Sequence, residues 1–108
     1  MPELPKNATL TMYQKYVTEL EYERGFINQT IIDKCLLLGE EVGELFKAVR
    51  KQEGLKIDLN SENKKISEEL VDIFIYICAI ANRSNVNLEK AFLKKEEVNK
   101  KRQWVTND

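Results

Sequence analysis

The position of helix-breaking residues is the feature that most constrains how this sequence can fold. In 108 residues both prolines, Pro2 and Pro5, lie near the N-terminus, and only four glycines are present. Long stretches without a breaker favour helices over many short strands. We therefore predict an all-α, four-helix bundle-like fold in a single domain, residues 1–108, with an N-terminal extension at 1–10 and an inter-helix loop at 53–65.

Capping residues indicate where the four helices begin and end. Thr11, with Gln14 three residues later, is a predicted capping box for the first helix, and Gly25 is expected to end it. Asn87 is the predicted N-cap of the fourth helix. The expected helices are Met12–Arg24, Thr30–Gln52, Ile66–Asn82 and Leu88–Arg102.

The absence of histidine removes several classes of active site. Without it the chain cannot form a Ser-His-Asp or Cys-His system, a His-ligated zinc site or a Glu-x-x-His di-iron site. The 17 basic and 18 acidic side chains nearly balance, whereas proteins that bind nucleic acid or anionic membranes normally carry a basic excess. We expect no nucleic-acid or membrane partner, and catalysis would depend on carboxylates and lysines.

The two cysteines indicate a reducing compartment. Cys35 and Cys78 lie in apolar sequence surroundings, where we expect both to be buried, and two thiols are too few for a secreted disulfide framework. The first residues contain prolines and an acid where a secretory signal needs an apolar core, and no later apolar run is long enough to cross a bilayer. A cytoplasmic location is expected.

The third predicted helix is apolar on nearly every side when plotted at about 100° per residue. In so small a domain such a helix indicates that one face meets a second subunit, so we expect an obligate homo-oligomer. One narrow polar stripe interrupts the apolar surface, at Glu69, Asp72, Tyr76 and Arg83. Carboxylates on a buried helix are unfavourable unless they are paired or bound to a metal ion.

The second predicted helix carries a matching pair of acids. Glu41 and Glu44 lie on the flank of its apolar face, whereas Glu40 lies on its polar side. If the two helices are neighbours, this pair converges with Glu69 and Asp72. Four carboxylates at one point repel each other, and a hard divalent cation removes the conflict. Because all the ligands are oxygen atoms, we expect Mg²⁺, with Mn²⁺ as a substitute.

The fourth predicted helix has a polar stripe of opposite sign, Lys95, Asn99 and Arg102, on its inner side. Cations and an amide directed toward a metal-bearing cleft favour an anionic ligand that carries phosphate groups. Each signal alone has a plainer explanation, since acidic pairs are common on solvated faces and basic residues often cap helices. The conjunction of the two acidic pairs with the basic stripe favours a site.

Three segments together resemble a known family. They are EEVGEL at 40–45, EELVDI at 68–73 and KEEVNKKR at 95–102. In this order they closely resemble the MazG-type all-α nucleoside triphosphate pyrophosphohydrolases, which include dCTP- and dUTP-hydrolysing enzymes and short single-domain forms. The resemblance covers about Phe26 to Trp104. It implies a tight homodimer or dimer of dimers, and Mg²⁺-dependent cleavage of a nucleoside triphosphate to the monophosphate and pyrophosphate.

The resemblance also implies roles for single residues, which are assigned by their positions in the motifs. It implies that metal is bound by Glu41, Glu44, Glu69 and Asp72, and that phosphate oxygens are held by Lys95, Asn99 and Arg102. Glu40 would support the site or act as a base, and Phe26 is the nearest aromatic residue that could stack on the nucleobase. Tyr76 is either a core aromatic or a further substrate contact.

The constellation suggests a hydrolytic mechanism. Glu41 or Glu44 would take a proton from a water that attacks the phosphorus of the α-phosphate, and pyrophosphate would leave. The resemblance suggests that the reaction removes surplus or non-standard nucleotides. Two alternatives stay open. A non-catalytic helical dimerisation or adaptor module would explain the apolar third helix but not the inward acids. A phosphoribosyl-ATP pyrophosphohydrolase would use a similar acidic helix pair on another nucleotide.

Overall fold

The computed structural model of the chain describes residues 2–56, 58, 60 and 65–106. Within them the chain forms four α-helices and no β-strand, which confirms the predicted all-α class. The helices are α1 (Leu10–Arg24), α2 (Ile31–Gln52), α3 (Ile66–Arg83) and α4 (Leu88–Asn99). Residues 57, 59 and 61–64 of the predicted loop lie outside the described part. None of the four described helices has the combined length and apolarity that a bilayer crossing requires.

The helix α1 begins earlier than the sequence indicated. Thr9 Oγ1 accepts a hydrogen bond from the backbone N–H of Met12 at 3.2 Å, so Thr9 is the N-cap. Gly25 ends the helix in the left-handed conformation, with φ of 77°, as predicted. The predicted capping box of Thr11 with Gln14 is wrong, because the Gln14 side chain is buried in another interaction.

Gln14 attaches the α3–α4 connection to α1. Its Nε2 donates to Asn82 Oδ1 at 3.1 Å and to the carbonyl of Val86 at 2.8 Å. Its Oε1 accepts a hydrogen bond from the backbone N–H of Leu88 at 2.7 Å. The side chain is 7% exposed, and an amide buried to this extent is tolerated because its donors and acceptor have partners.

The helix α4 lies at the edge of the fold. Asn87 Oδ1 accepts from the backbone N–H of Lys90 at 2.9 Å, so Asn87 is the N-cap that the sequence predicted. The helix ends at Asn99 rather than at Arg102. It packs on α1, and none of its residues is buried.

The four helices form an open arrangement. The radius of gyration of the α-carbons is 17.1 Å, whereas a compact domain of this length is expected to have about 13 Å. The helix α3 is central, because it packs most extensively against α2 and also against α1. Large apolar surfaces of α2, α3 and α4 consequently stay exposed in the single chain.

A small apolar core joins α1 to α3. Its buried members are Val17, Leu20, Cys78 and Ala79. Burial raises the pKa of the Cys78 thiol to about 11, so this thiol is uncharged at neutral pH. Cys35 is exposed on α2, and the prediction that both cysteines are buried is therefore wrong for Cys35.

A buried ion cluster connects α1, α2 and α3. Arg83 Nη1 and Nη2 donate to the two carboxylate oxygens of Glu21 at 2.9 and 2.8 Å, and Lys34 Nζ lies 3.1 Å from Glu21 Oε2. Glu21 is 5% exposed and Lys34 is 3% exposed. Arg83 also donates to three backbone carbonyls, those of Phe26, Gln29 and Ala79. Arg83, the last member of the predicted polar stripe, therefore has a structural role.

The cluster keeps Glu21 ionised. Burial alone raises the pKa of Glu21, but hydrogen bonds and charges from Arg83 and Lys34 outweigh this effect and hold it below its ordinary value of 4.5. Because the pKa is lower in the folded state, the ionised cluster contributes stability above pH 4.5 or so, and this contribution is lost as the pH falls through the folded value.

We predict that Glu21→Gln lowers the free energy of unfolding by about 3 kcal/mol at pH 7, since it leaves the buried Lys34 and the half-buried Arg83 without their anion. Urea unfolding followed by circular dichroism measures the loss. The difference from the unsubstituted protein should narrow as the pH falls below the ordinary pKa of the carboxyl. Glu19→Gln, an exposed change on the same helix, should alter stability by less than about 0.5 kcal/mol. Equal effects of the two substitutions would contradict the stabilising role of the cluster.

Candidate metal centre and adjoining cavity

Three carboxylates from two helices lie together where α2 packs on α3. One oxygen from each of Glu41, Glu69 and Asp72 lies within 4.8 Å of the other two. Glu69 and Asp72 are nearly one turn apart on α3 and share a face, and α2 brings Glu41 to that face. Glu69 is 2% exposed, Glu41 is half-buried and Asp72 is exposed, so the carboxylate cluster extends from the interior to the surface.

The chemistry of the carboxylate cluster fits a hard divalent cation. Glu69 Oε2 is buried and accepts no hydrogen bond from any residue that the structure describes. A carboxylate oxygen in that position is unfavourable without a compensating partner, and three close acidic groups also repel each other. Oxygen-only ligand sets are those that hard divalent cations prefer. Glu41, Glu69 and Asp72 are therefore the residues that could hold such an ion.

The other two acids of the α2 motif lie outside the carboxylate cluster. Glu44 is half-buried, nearly one turn beyond Glu41, and is not among the three carboxylates whose oxygens are mutually close. Glu40 is exposed, which agrees with its predicted place on the polar side of the helix. The structure thus brings together three of the four acids that the sequence indicated as metal ligands.

Tyr76 lies on α3 about one turn beyond Asp72. Burial raises the pKa of its phenol, and the negative charges of Glu41, Asp72 and Glu40 raise it further. The hydroxyl therefore stays protonated at neutral pH and is available as a hydrogen-bond donor.

A cavity of about 230 Å³ opens between α1, α2 and α3. Asp72 belongs both to the carboxylate cluster and to the wall of the cavity. Phe26 and Tyr76, the two aromatic residues that the sequence indicated as substrate contacts, lie on the same wall. The apolar part of the wall is formed by Leu20, Leu37, Ile75 and Ala79. The structure therefore places both predicted aromatic contacts next to one of the predicted metal ligands.

Sequence reasoning did not identify Lys34 as part of this region. Its ammonium lies 5.0 Å from the ring centroid of Phe26 and 5.5 Å from that of Tyr76, and the residue lines the cavity. Lys34 precedes Glu41 by two helical turns on the same face of α2, and this spacing is the signal that could have revealed it. Gln29, in the connection between α1 and α2, also lines the cavity and was likewise missed.

The predicted phosphate-binding stripe lies on α4 and just beyond its end. Lys95 and Arg102 are exposed, and Asn99 is half-buried. Among the described residues the wall of the cavity includes none of these three. Asn99 and Arg102 instead border a separate open pocket beside Trp104. The structure of a single chain therefore does not bring the stripe to the cavity.

Comparisons with known proteins identify related chains. The family model of the MazG nucleotide pyrophosphohydrolase domain matches residues 29–104. Two crystal structures of iMazG from Vibrio DAT 722, Ntag-iMazG and Ctag-iMazG, are each 35% identical to this chain, with a TM-score of 0.67. Each alignment covers 85% of this chain, together with 94% of the first structure and 98% of the second. No curated protein matches the sequence.

The matched range contains α2, α3 and α4, and with them the whole carboxylate cluster. The likeness to iMazG extends over most of both chains, so it concerns the complete helical fold and not a shared fragment. On these grounds the chain belongs to the MazG family of all-α proteins and is a nucleotide pyrophosphohydrolase.

Proposed function

We propose that the protein hydrolyses nucleoside triphosphates, deoxynucleotides in preference to ribonucleotides, to the monophosphate and pyrophosphate, and that it removes surplus or non-standard nucleotides. The observation that carries the proposal is the position of Asp72, which joins the carboxylate cluster to a cavity walled by two aromatic rings. A triphosphate combines a highly charged chain with a flat base, and these two adjacent environments suit its two parts.

Mg²⁺ is the proposed cofactor. Glu41, Glu69 and Asp72 would hold the ion, and Glu44 is the proposed fourth ligand. The buried oxygen of Glu69 supports this assignment, because a cation would supply the partner that the described residues do not. When bound, the ion neutralises charge on phosphate oxygens and lowers the pKa of water. Mn²⁺ prefers similar oxygen ligands, so it should substitute.

The side chains of the protein would carry the proton and orient the substrate. Glu41 and Glu44 are the proposed bases, one of which accepts the proton of the attacking water as the water oxygen bonds to the α-phosphorus. The bond from that phosphorus to the bridging oxygen breaks, and pyrophosphate leaves. The Tyr76 hydroxyl would donate to an oxygen of the substrate, and Phe26 would contact the base.

We also propose that the protein acts as a homodimer or a dimer of dimers. The helix α2 exposes Ile32, Leu36, Gly39, Gly43 and Phe46, which alternate in steps of four and three residues along one seam. A Cβ atom added at either glycine would have no atom of the described residues within 4 Å. Glycine weakens a helix by up to about 1 kcal/mol relative to alanine, so close approach of a second helix is the proposed reason for the pair.

Self-association would also give the basic stripe a role. Lys95, Asn99 and Arg102 do not line the cavity of their own chain. We propose that they hold phosphate oxygens in the assembled oligomer, where α4 of one copy can approach the cavity of another. The open shape and the exposed apolar surface of α4 support this arrangement.

Asp72→Asn should lower kcat/KM by about a hundredfold or more, because it removes a metal-binding charge at the junction of the carboxylate cluster and the cavity. The assay separates monophosphate and pyrophosphate after incubation with a panel of dNTPs and NTPs in MgCl₂. Glu68→Gln changes a neighbouring exposed acid and should leave turnover unchanged. Full activity in Asp72→Asn would contradict the proposed site. Faster turnover of phosphoribosyl-ATP than of any dNTP would assign the protein to the alternative reaction.

Millimolar Mg²⁺ should raise the melting temperature, since an ion that binds only the folded state stabilises it by about 2.7 kcal/mol at a hundredfold excess over Kd. Glu69→Gln should abolish this shift while leaving a folded protein, because the substitution relieves repulsion among the three acids. Differential scanning calorimetry with and without the ion measures both effects, and Glu68→Gln serves as the matched control. An undiminished shift in Glu69→Gln would place the ion elsewhere.

Leu36→Glu should dissociate the proposed oligomer, because it sets a charge in the middle of the exposed α2 seam. Sedimentation equilibrium of the substituted and unsubstituted proteins gives their masses. Lys15→Glu, an exposed change on α1, should not alter the mass. A monomeric unsubstituted protein at micromolar concentration would contradict self-association.

A further inference from the structure

The position of Lys34 is unusual for a lysine. Its side chain is 3% exposed, its ammonium lies 3.1 Å from Glu21 Oε2, and it is close to the faces of Phe26 and Tyr76. The same residue lines the cavity that adjoins the carboxylate cluster. Lysine is almost never fully buried unless it is paired, and the pairing with Glu21 allows this cation to lie at the wall of the cavity.

The buried ion cluster carries one more positive than negative charge, because Arg83 and Lys34 share the single carboxylate of Glu21. Arg83 has five N–H donors, and the five have acceptors in two carboxylate oxygens and three backbone carbonyls. The ammonium of Lys34 has three N–H donors, and Glu21 is the one hydrogen-bonding partner that the described residues give it. The N–H donors of the ion cluster that have no acceptor among the described residues are therefore those of Lys34, and the surplus positive charge is on its ammonium.

The other residues of the cavity wall determine which kind of hydrogen-bond acceptor can bind next to the Lys34 ammonium. Besides Lys34, the polar members of the wall are Glu21, Arg24, Gln29 and Asp72, and the other six residues are aromatic or aliphatic: Leu20, Phe26, Leu37, Ile75, Tyr76 and Ala79. A flat and largely apolar group fits such a wall better than a fully hydrated phosphate. A nucleobase that bears a carbonyl oxygen offers both the flat surface and the acceptor.

We propose that Lys34 determines base specificity by donating a hydrogen bond to a carbonyl oxygen of the nucleobase. The inference rests on the proposed function and deepens it. Guanine, hypoxanthine, cytosine, uracil and thymine carry such an oxygen, whereas adenine carries an amino group and no carbonyl. A lysine ammonium can only donate, so it cannot adapt to the amino group of adenine.

Gln29 is an uncharged polar residue on this wall, and its amide cannot discriminate between a carbonyl and an amino group in the way that a lysine can. Its Oε1 is buried and accepts no hydrogen bond from the described residues. A glutamine amide can rotate to present either its oxygen or its NH₂ group, so it can pair with an N–H or with a ring nitrogen. Gln29 therefore does not supply the discrimination between carbonyl and amino groups that we propose for the buried Lys34.

The test compares dITP with dATP, two purine substrates whose bases differ at position 6 and in the proton on the adjacent ring nitrogen. The unsubstituted protein should favour dITP in kcat/KM by roughly tenfold or more, as expected for a hydrogen bond from a charged donor. Lys34→Met should bring the ratio close to one, and Lys34→Arg should restore part of it. Because both substrates are measured on one preparation, the ratio does not depend on the fraction of folded enzyme.

Lys15→Met is the matched control, since it removes an exposed lysine from α1 and should leave the ratio unchanged. A ratio of one in the unsubstituted protein, or an unchanged ratio in Lys34→Met, would overturn the inference. Calorimetric titration with the non-hydrolysable α,β-imido analogues of the two substrates separates this inference from the proposed reaction. A binding preference that depends on Lys34 would support the inference even if neither triphosphate were hydrolysed. Equal affinities would overturn it even if both were hydrolysed.

Discussion

The bidentate ion pair between Glu21 and Arg83 is the interaction on which the rest of the structure depends. It joins the end of α1 to the end of α3, and Arg83 also holds the backbone of the connection between α1 and α2. The small apolar core of Val17, Leu20, Cys78 and Ala79 joins only α1 to α3, and the ion cluster adds α2 to this contact through Lys34. The walls of the cavity take their positions from this arrangement, because Phe26 and Gln29 lie on the connection that Arg83 holds.

The helix α2 carries a buried cation and a half-buried acid on one face, two turns apart. Lys34 pairs with Glu21 on the wall of the cavity, and Glu41 belongs to the carboxylate cluster, which shares Asp72 with that wall. The ammonium of Lys34 can donate hydrogen bonds, whereas the carboxylate of Glu41 can accept them. One face of α2 therefore offers both kinds of group to an extended ligand. The pKa of Tyr76 is raised because its phenol is partly buried and because the negative charges of Glu41, Asp72 and Glu40 are near.

Local patterns predicted most of the fold and part of the site. The positions of proline and glycine indicated four helices, and the three-residue spacing of Glu69 and Asp72 indicated their common face. Local patterns could not predict where α1 begins, because Thr9 and Thr11 are both suitable N-caps. The tertiary contacts of Gln14 decide between them. The roles of Lys34 and Glu21 could not be predicted from the sequence for a similar reason. Arg83 lies 62 residues from Glu21, and a lone charged residue on a helix normally faces water.

The double position of Asp72, in the carboxylate cluster and on the cavity wall, restricts how a lineage of such proteins can diversify. A replacement there would change both the carboxylate cluster and the wall of the cavity. Gln29 and Phe26 line the cavity without belonging to the cluster, so replacing either of them would change the wall alone. Divergence at those two positions would therefore reshape one side of the pocket and leave the three carboxylates in place.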